Sequence, residues 1–167
     1  MLARFMQKPS QIHLQAIKRV LRYLKGTSDY GIWYTPNKNS ELIGYSDSDW
    51  AGSIDDMKST SGYVFLLGNG VFSWFSQKKD IVAQSTADAE YIAVCAAANQ
   101  TIWLRRILGE MGEVQKQPTT IFCDSKSAIA IAKNPVLHGK TKHIKIKYHF
   151  VREVESEGKI SLVHCTF

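Results

Sequence analysis

The stretch Leu-Ile-Gly-Tyr-Ser-Asp-Ser-Asp-Trp, residues 42–50, decides the fold that we predict for the rest of the chain. It is an apolar run that ends abruptly in acids, and such a run bounded by turn residues is typical of a buried strand. Asp47 then lies at the carboxyl end of that strand, which is where open α/β sheets place their ligands. The stretch therefore predicts a core strand that delivers Asp47 to a site at the edge of a sheet.

Two further acids occupy comparable positions. Asp124 directly follows the apolar run of residues 120–123, and Glu90 lies in the first turns of a long helical stretch that begins at Ser85. Three carboxylates from three elements suggest a metal centre. The alternative at this point is that the two aspartates cap the elements that follow them, because aspartate favours strand-to-helix turns.

Composition limits the class of protein. A chain of 167 residues with 44% hydrophobic residues predicts one domain with a genuine core plus an appendage. The formal charge of +6 favours a polyanionic partner without requiring one. Three cysteines without metal-ligand or disulfide spacing indicate a reducing, intracellular location. No apolar run reaches the length of a membrane span, and no signal peptide opens the chain, so we expect a soluble protein without a membrane partner.

Hydrophobic periodicity and turn residues predict the order of the elements. They are a helix from Ser10 to Gly26, the strand of residues 42–47, a hairpin of residues 62–67 and 71–77, a helix from Ser85 to about Met111, a strand of residues 120–124, a helix from Ser125 to Lys133, a helix near residues 145–157 and a last strand from Ile160 to Val163. The first three strands form an antiparallel meander, and helical crossovers make the later strands parallel to the first. This α/β arrangement puts the strand ends at 42–47 and 120–124 side by side, with Glu90 leaning between them.

Six motifs carry a resemblance to a known family. They are Tyr-Ser-Asp-Ser-Asp-Trp-Ala-Gly (45–52), Lys-Ser-Thr-Ser-Gly-Tyr-Val-Phe (58–65), Trp-Phe-Ser-Gln-Lys-Lys (74–79), Ser-Thr-Ala-Asp-Ala-Glu-Tyr (85–91), Cys-Asp-Ser-Lys-Ser-Ala (123–128) and Lys-Thr-Lys-His-Ile (140–144). Through them the chain resembles the ribonuclease H domain of copia-type retrotransposon polyproteins. Residues 1–29 resemble the end of the preceding reverse transcriptase. The resemblance implies a helical remnant over 1–29 and a ribonuclease H-like domain, a mixed sheet with flanking helices, over 30–167.

The resemblance also implies an activity, which is cleavage of the RNA strand of RNA/DNA hybrids by two Mg²⁺ ions, with Mn²⁺ as a substitute. Asp47, Glu90 and Asp124 match the first three catalytic and metal-binding acids of the family. Asp49 is the alternative to Asp47, since it lies two residues on and therefore on the same side of an extended chain. Carboxylates without histidine or cysteine spacing suit Mg²⁺ better than zinc. The implied partners are the hybrid and the reverse transcriptase portion of the same polyprotein, in the cytoplasm, the nucleus or retroelement particles.

Candidate nucleic-acid contacts lie beside the acids and in a basic loop. Ser48 and Ser125 follow catalytic acids and are placed to reach sugar hydroxyls, while Lys140, Lys142 and His143 are placed to meet phosphates. For each of these residues, plain exposed surface is the alternative.

One departure from the family affects the expected activity. In the family a final helix follows the last strand and brings a fourth carboxylate, whereas this sequence stops at residue 167. We therefore expect the C-terminal helix to be absent and the nuclease to be impaired. The alternative function is a non-catalytic, nucleic-acid-binding remnant of a retroelement. A transposase or integrase on the same fold would show its acids in the order Asp, Asp, Glu, but here Glu90 comes between the aspartates.

Overall fold

The computed structural model describes residues 2–36, 41–53, 55–133 and 142–166, and for residues 3, 4 and 142–148 it describes the backbone alone. The chain divides into two compact units, Met1–Trp33 and Tyr34–Phe167. The boundary predicted from the sequence, between residues 29 and 30, lies shortly before this division. The origin of the first unit as the end of a reverse transcriptase stays a prediction.

The first unit consists of a short 3-10 turn, Leu2–Phe5, and helix α1, Gln11–Gly26. Helix α1 has the bounds that its capping residues predict. The backbone N–H of Ser10 donates to Nδ1 of His13 at 2.9 Å, and the His13 ring stacks on Phe5 with a centroid distance of 4.1 Å. These contacts satisfy a free amide at the helix start, where helices lack internal partners. Helix α1 buries none of its side chains.

The second unit contains five strands and three helices in its described residues. In chain order they are β1 (Leu42–Ser48), β2 (Thr60–Leu67), β3 (Gly70–Lys78), α2 (Thr86–Glu110), β4 (Thr119–Cys123), α3 (Lys126–Lys133), α4 (Lys142–Ser156) and β5 (Ile160–His164). Each corresponds to an element predicted from the sequence, with ends that differ by a few residues. Helix ends of this kind commonly shift by one or two residues between criteria.

The five strands form one mixed sheet in the order β3-β2-β1-β4-β5. Strand β1 pairs antiparallel with β2, and β2 pairs antiparallel with β3, so the predicted meander is confirmed. Strand β4 is parallel to β1, and β5 is parallel to β4. The turn between β2 and β3 needs Gly68, which adopts a φ of 61° that residues with a side chain rarely tolerate. The predicted α/β fold class is therefore correct.

The core lies between the sheet and the helices. Helix α2 packs against β1, β2 and β4, while α3 and α4 pack against α2 and β5. Strand residues alternate between the buried face and the other face, which follows from the period of two in a strand. Phe65 and Ile121 are fully buried beneath α2, whereas Tyr45 and Phe122 on the other face are half-buried and stack with a centroid distance of 5.0 Å.

Gly44 in β1 leaves space for the side chain of Phe65 on the neighbouring strand β2. It pairs with Phe65 of β2, and a Cβ atom at Gly44 would come within 2.7 Å of the buried Phe65 ring. We expect Gly44→Ala to lower the free energy of unfolding by about 1–3 kcal/mol, measured by urea denaturation, because a well-packed core resists added atoms. The matched control is Gly109→Ala in α2, where no heavy atom lies within 4 Å. A Gly44→Ala protein as stable as the control would contradict this account of the packing.

Candidate metal centre

The first two acids of the site are placed by neighbouring parallel strands. The register pairs Ser46 of β1 with Cys123 of β4, so Asp47 and Asp124 are the next residues along each strand. Both aspartates are exposed, and both line one cleft whose walls include Tyr45 and Gly62. The adjacent carboxyl ends of two parallel strands thus present two carboxylates to the same solvent space.

The third acid comes from the start of α2. Ser85 caps this helix by accepting a hydrogen bond from the Asp88 amide at 3.2 Å, which fixes where the first turn begins. Glu90 in the second turn is only 8% exposed. Its carboxylate, the Cys123 sulfur and the Asp124 carboxylate each offer a ligand atom, and these three atoms lie within 4.8 Å of one another. The structure therefore brings Glu90 and Asp124 together.

The Glu90 carboxyl group is electrostatically strained. Burial, followed by the charges of Asp124 and Asp47, raises its pKa from 4.5 to about 7. The influence of Asp47 on this pKa puts all three predicted acids in one electrostatic neighbourhood. Burial also raises the pKa of the adjacent Cys123 thiol to about 11, so that the thiol is protonated at neutral pH. Near neutral pH, either a proton on Glu90 or a bound cation would offset the repulsion among these charges.

The side chains fit a hard divalent cation. The Oε2 atom of Glu90 is buried and has no hydrogen-bond partner among the described residues. An unpaired buried carboxylate oxygen is costly, and metal coordination is one of the arrangements that removes the cost. Carboxylate oxygens are the ligands that Mg²⁺ and Mn²⁺ prefer. Glu90 and Asp124, with Asp47 beside them, would hold such an ion.

Asp49, the alternative to Asp47, has a local structural task. Its Oδ1 atom accepts a hydrogen bond from the backbone N–H of Thr60, at the start of β2. The neighbouring Trp50 donates from Nε1 to the Ala83 carbonyl at 3.2 Å, which fixes the same loop from its other side. These bonds favour Asp47 over Asp49 as the acid of the site, although the assignment of the ligands remains a prediction.

The two serines predicted to touch substrate are engaged within the protein. Ser48 is buried, and its hydroxyl lies 3.1 Å from that of Ser61 and donates toward the Thr60 carbonyl at 3.3 Å. Its side chain therefore faces the core, because Ser48 and Asp47 lie on opposite sides of β1. Ser125 accepts a hydrogen bond from the Ala128 amide at 3.1 Å, as a capping residue of α3 does. A role for Ser48 at the surface is not supported.

The side chains of the three basic candidate residues are not among those that the structure describes. Lys142 and His143 lie in the first turn of α4, in the stretch whose backbone alone is described. Lys140 lies outside the described residues. Their contacts with nucleic acid stay predictions.

The structure adds two residues that the sequence did not single out. Cys123 contributes its sulfur to the cluster because β4 ends there and Asp124 lies in a bend, so strand alternation no longer separates the two side chains. His164, at the end of β5, places Nε2 3.1 Å from the Asp124 carbonyl oxygen, to which that nitrogen donates. The only sequence signal for Cys123 was its position next to an acid, and His164 had none.

Sequence comparison finds relatives over nearly the whole chain. The chain is 42% identical over 163 residues to the retrovirus-related Pol polyprotein from transposon RE1 of Arabidopsis thaliana, a match that covers 98% of this chain and 11% of that protein. It is 40% identical over 161 residues to the Pol polyprotein from transposon TNT 1-94 of Nicotiana tabacum, covering 96% and 12%. The chain thus spans about a tenth of the length of these relatives.

A shorter relative matches part of the chain. The secreted RxLR effector protein 161 of Plasmopara viticola is 46% identical over 103 residues, which is 62% of this chain and 72% of that protein. No model of a protein family matches the chain.

Comparison with solved structures identifies the fold. LC11-RNase H1, isolated from compost, aligns with a TM-score of 0.53 and 18% identity over 75% of this chain and 84% of that protein. The prototype foamy virus protease-reverse transcriptase aligns with a TM-score of 0.54 and 17% identity over 80% of this chain and 18% of that protein. The fold is that of a ribonuclease H.

Over nearly its whole length, the chain is therefore homologous to a segment of copia-type retrotransposon Pol polyproteins, and its own fold is that of a ribonuclease H. None of the helices in the described part of the chain has the length and hydropathy needed to cross a membrane.

Proposed function

We propose that this chain is a ribonuclease H that cleaves the RNA strand of RNA/DNA hybrids by metal-assisted hydrolysis. The observation that carries the proposal is the juxtaposition of Glu90 and Asp124, with a buried and unpaired Glu90 oxygen, beside Asp47 at the carboxyl ends of β1 and β4. Retrotransposon Pol relatives and a ribonuclease H fold agree with it, and neither one alone establishes an activity for this chain.

In such a site, the buried Glu90 and the exposed Asp47 and Asp124 have different roles. Divalent ions held there by Glu90, Asp47 and Asp124 would supply activation of the attacking water and neutralisation of charge at the scissile phosphate. Glu90 is held by α2 and the sheet, so it forms the fixed inner wall of the site. Asp47 and Asp124 are exposed at the strand ends and complete the site on the side from which a phosphodiester approaches. The hydrogen bond from His164 holds the Asp124 backbone in this position.

The charge of the site bears on how active the chain is. Glu90, Asp47 and Asp124 supply three negative charges, whereas two divalent ions bring four positive ones. We propose that the chain holds a second ion weakly and is therefore an impaired nuclease, and that Mn²⁺ restores activity better than Mg²⁺ because it binds such sites more tightly. A non-catalytic remnant that binds nucleic acid is the second candidate, and the same shortage of negative charge favours it.

The proposed partners follow from charge and family. A formal charge of +6 suits the phosphates of a nucleic acid. The foamy viral protease-reverse transcriptase, which shares the fold with a TM-score of 0.53, was solved in complex with RNA/DNA hybrid. By analogy we propose the hybrid as substrate and a reverse transcriptase portion of the same polyprotein as neighbour. An intracellular location remains a prediction.

The proposal is tested with end-labelled RNA/DNA hybrid, duplex DNA and single-stranded RNA, each with Mg²⁺, with Mn²⁺ and with chelator. We expect slow cleavage confined to the RNA strand of the hybrid, faster with Mn²⁺ and abolished by the chelator. An Asp124→Asn protein purified in parallel reveals any contaminating host nuclease. Cleavage of duplex DNA at the same rate, or metal-dependent activity that Asp124→Asn retains, would contradict the proposal.

Nucleic-acid binding, measured beside cleavage, distinguishes the nuclease from the non-catalytic remnant. Whether or not the chain cleaves, we expect tighter binding of the hybrid than of duplex DNA in a competition assay at physiological salt, with affinity that falls steeply as salt rises. Hybrid preference without any cleavage in Mn²⁺ would favour the non-catalytic remnant. Equal affinity for both duplexes would count against the specific substrate.

A further inference from the structure

The Cys123 sulfur gives the metal centre a ligand that an all-oxygen site lacks. We propose that Glu90, Cys123 and Asp124 bind a thiophilic divalent ion, Zn²⁺ or Cd²⁺, through two carboxylates and the thiolate, and that this ion competes with Mg²⁺ or Mn²⁺ for the same carboxylates. The ion-binding part rests on the geometry of the cluster. Its consequence, inhibition of hybrid cleavage, rests also on the function proposed above.

The geometry suits a small tetrahedral ion. Zn²⁺ lies about 2.0–2.3 Å from its oxygen and sulfur ligands, so neighbouring ligand atoms around it are roughly 3.5 Å apart. The three candidate ligand atoms already lie within 4.8 Å of one another. The exposed Asp124 side chain supplies the remaining movement, since its carboxylate is not packed in the core. A solvent molecule takes the fourth position.

An independent observation points to a cation in this place. Glu90 is more than nine-tenths buried, and its Oε2 atom has no hydrogen-bond partner in the described part of the chain. An acidic cluster on a surface is common and means little, but a buried carboxylate oxygen left unpaired carries a continuing free-energy cost. A ligand bond to an ion offsets that cost directly.

The Cys123 sulfur lies within 4.8 Å of a Glu90 carboxylate oxygen. Cys123 is the last residue of β4, and its Sγ atom accepts a hydrogen bond from the Ser125 amide at 3.4 Å, which limits its rotation. On binding, the Cys123 S–H bond breaks, the sulfur lone pair forms the bond to the ion, and the proton passes to solvent. One thiolate and two carboxylates then face a doubly charged ion, so the product carries no excess positive charge.

Ligand softness separates the two classes of ion. Mg²⁺ prefers oxygen and gains little from a thiol, whereas Zn²⁺ and Cd²⁺ bind thiolate strongly. Removal of the sulfur should therefore weaken Cd²⁺ binding and leave Mn²⁺ binding nearly unchanged. A role for Cys123 in core packing alone would not produce this selectivity.

The experiment titrates Cd²⁺ into the full chain, into Cys123→Ser and into Cys165→Ser, and follows the thiolate-to-Cd²⁺ charge-transfer absorption. Cys165 is the matched control because its amide bonds to the Cys123 carbonyl at 3.1 Å, which places it at the same edge of the sheet. We expect Cys123→Ser to lose the band and to bind Cd²⁺ at least about tenfold more weakly. Cys165→Ser should keep the band and the affinity. Loss of the band in Cys165→Ser alone, or in neither variant, would overturn the proposal.

Competition is measured with Mn²⁺, whose free form gives a magnetic resonance signal. We expect stoichiometric Cd²⁺ to release bound Mn²⁺ from the parent chain, and Cys123→Ser to bind Mn²⁺ within about threefold of the parent. If Cys123→Ser does not fold, cadmium-113 magnetic resonance of the Cys165→Ser chain decides, because a spectrum without a sulfur ligand would overturn the proposal. These readouts need no nuclease activity. A chain that binds Cd²⁺ through Cys123 but never cleaves hybrid would refute the proposed function and leave the ion site standing.

Discussion

Replacement of Asp47 by asparagine is expected to lower Mg²⁺-dependent cleavage of RNA/DNA hybrid by about 10³-fold, because a metal ion at a phosphoryl centre supplies several kcal/mol of stabilisation. Asparagine keeps the size of the side chain and removes its charge. The side chain is exposed at the strand end, so the fold should persist. The measurement is the initial rate with excess metal ion, in Mn²⁺ as well as Mg²⁺, with circular dichroism to verify folding.

The neighbouring aspartate provides the control. Asp49 is the same residue type two positions along the chain, but its carboxylate already accepts a hydrogen bond from the Thr60 amide. We expect Asp49→Asn to retain at least about a tenth of the parent rate, since an asparagine oxygen still accepts that bond. A reversed result, with Asp49→Asn inactive and Asp47→Asn active, would transfer the metal ligand to Asp49.

The stability of the metal-free chain is expected to depend on pH through Glu90. The folded-state pKa of this carboxyl is raised to about 7 from 4.5. The folded chain therefore holds the proton more tightly than the unfolded chain does. The resulting stabilisation is fully present below about pH 4.5 and is lost as pH rises to about 7. The loss amounts to about 3 kcal/mol in free energy of unfolding.

The test compares urea denaturation of the parent and Glu90→Gln at about pH 5 and about pH 8, with chelator present. Glutamine cannot ionise, so the variant should be more stable than the parent at the higher pH and show a smaller change between the two. Glu110→Gln is the control, because Glu110 belongs to the same helix but is exposed and pairs with Arg106. If the free energy of unfolding changed with pH in the same way for the parent and Glu90→Gln, burial of the ionised Glu90 carboxylate would not destabilise the folded chain. Added Mg²⁺ should remove the difference if the ion binds there.

Much of the fold could be predicted because local signals agree with the global arrangement. These local signals are the strand of residues 42–47, the turn around Gly68 and the caps at Ser10 and Ser85. Each depends on residues only a few positions apart, which is the range over which a sequence can be interpreted directly. The helical crossovers that precede β4 and β5 then predict that both strands run parallel to β1. The structure confirms each of these predictions.

The residues of the site were harder to predict from the sequence than the fold was, for a physical reason. Its three acids could be proposed because carboxylates at strand ends and helix starts have a recognisable position. Cys123 and His164 could not, since their proximity to Asp124 depends on where β4 stops and on pairing between distant segments. Ser48 lies next to a site acid on a strand, so its side chain faces the opposite side of the sheet, and its predicted contact with sugar hydroxyls stays a prediction. Sequence spacing alone does not resolve the direction of a side chain.

The central position of β1 in the sheet has a consequence for which insertions and deletions this domain can tolerate. Asp47 and Asp124 each directly follow the last paired residues of the β1–β4 ladder, Ser46 and Cys123, so the ladder positions their backbones, whereas the segment between β1 and β2 and the connection before β4 do not. Insertions and deletions in those connections therefore alter the rim of the cleft while the backbones that carry the two aspartates stay in register. Retroelement copies that accumulate length changes in their loops would keep the geometry of the acids for as long as that ladder keeps its register.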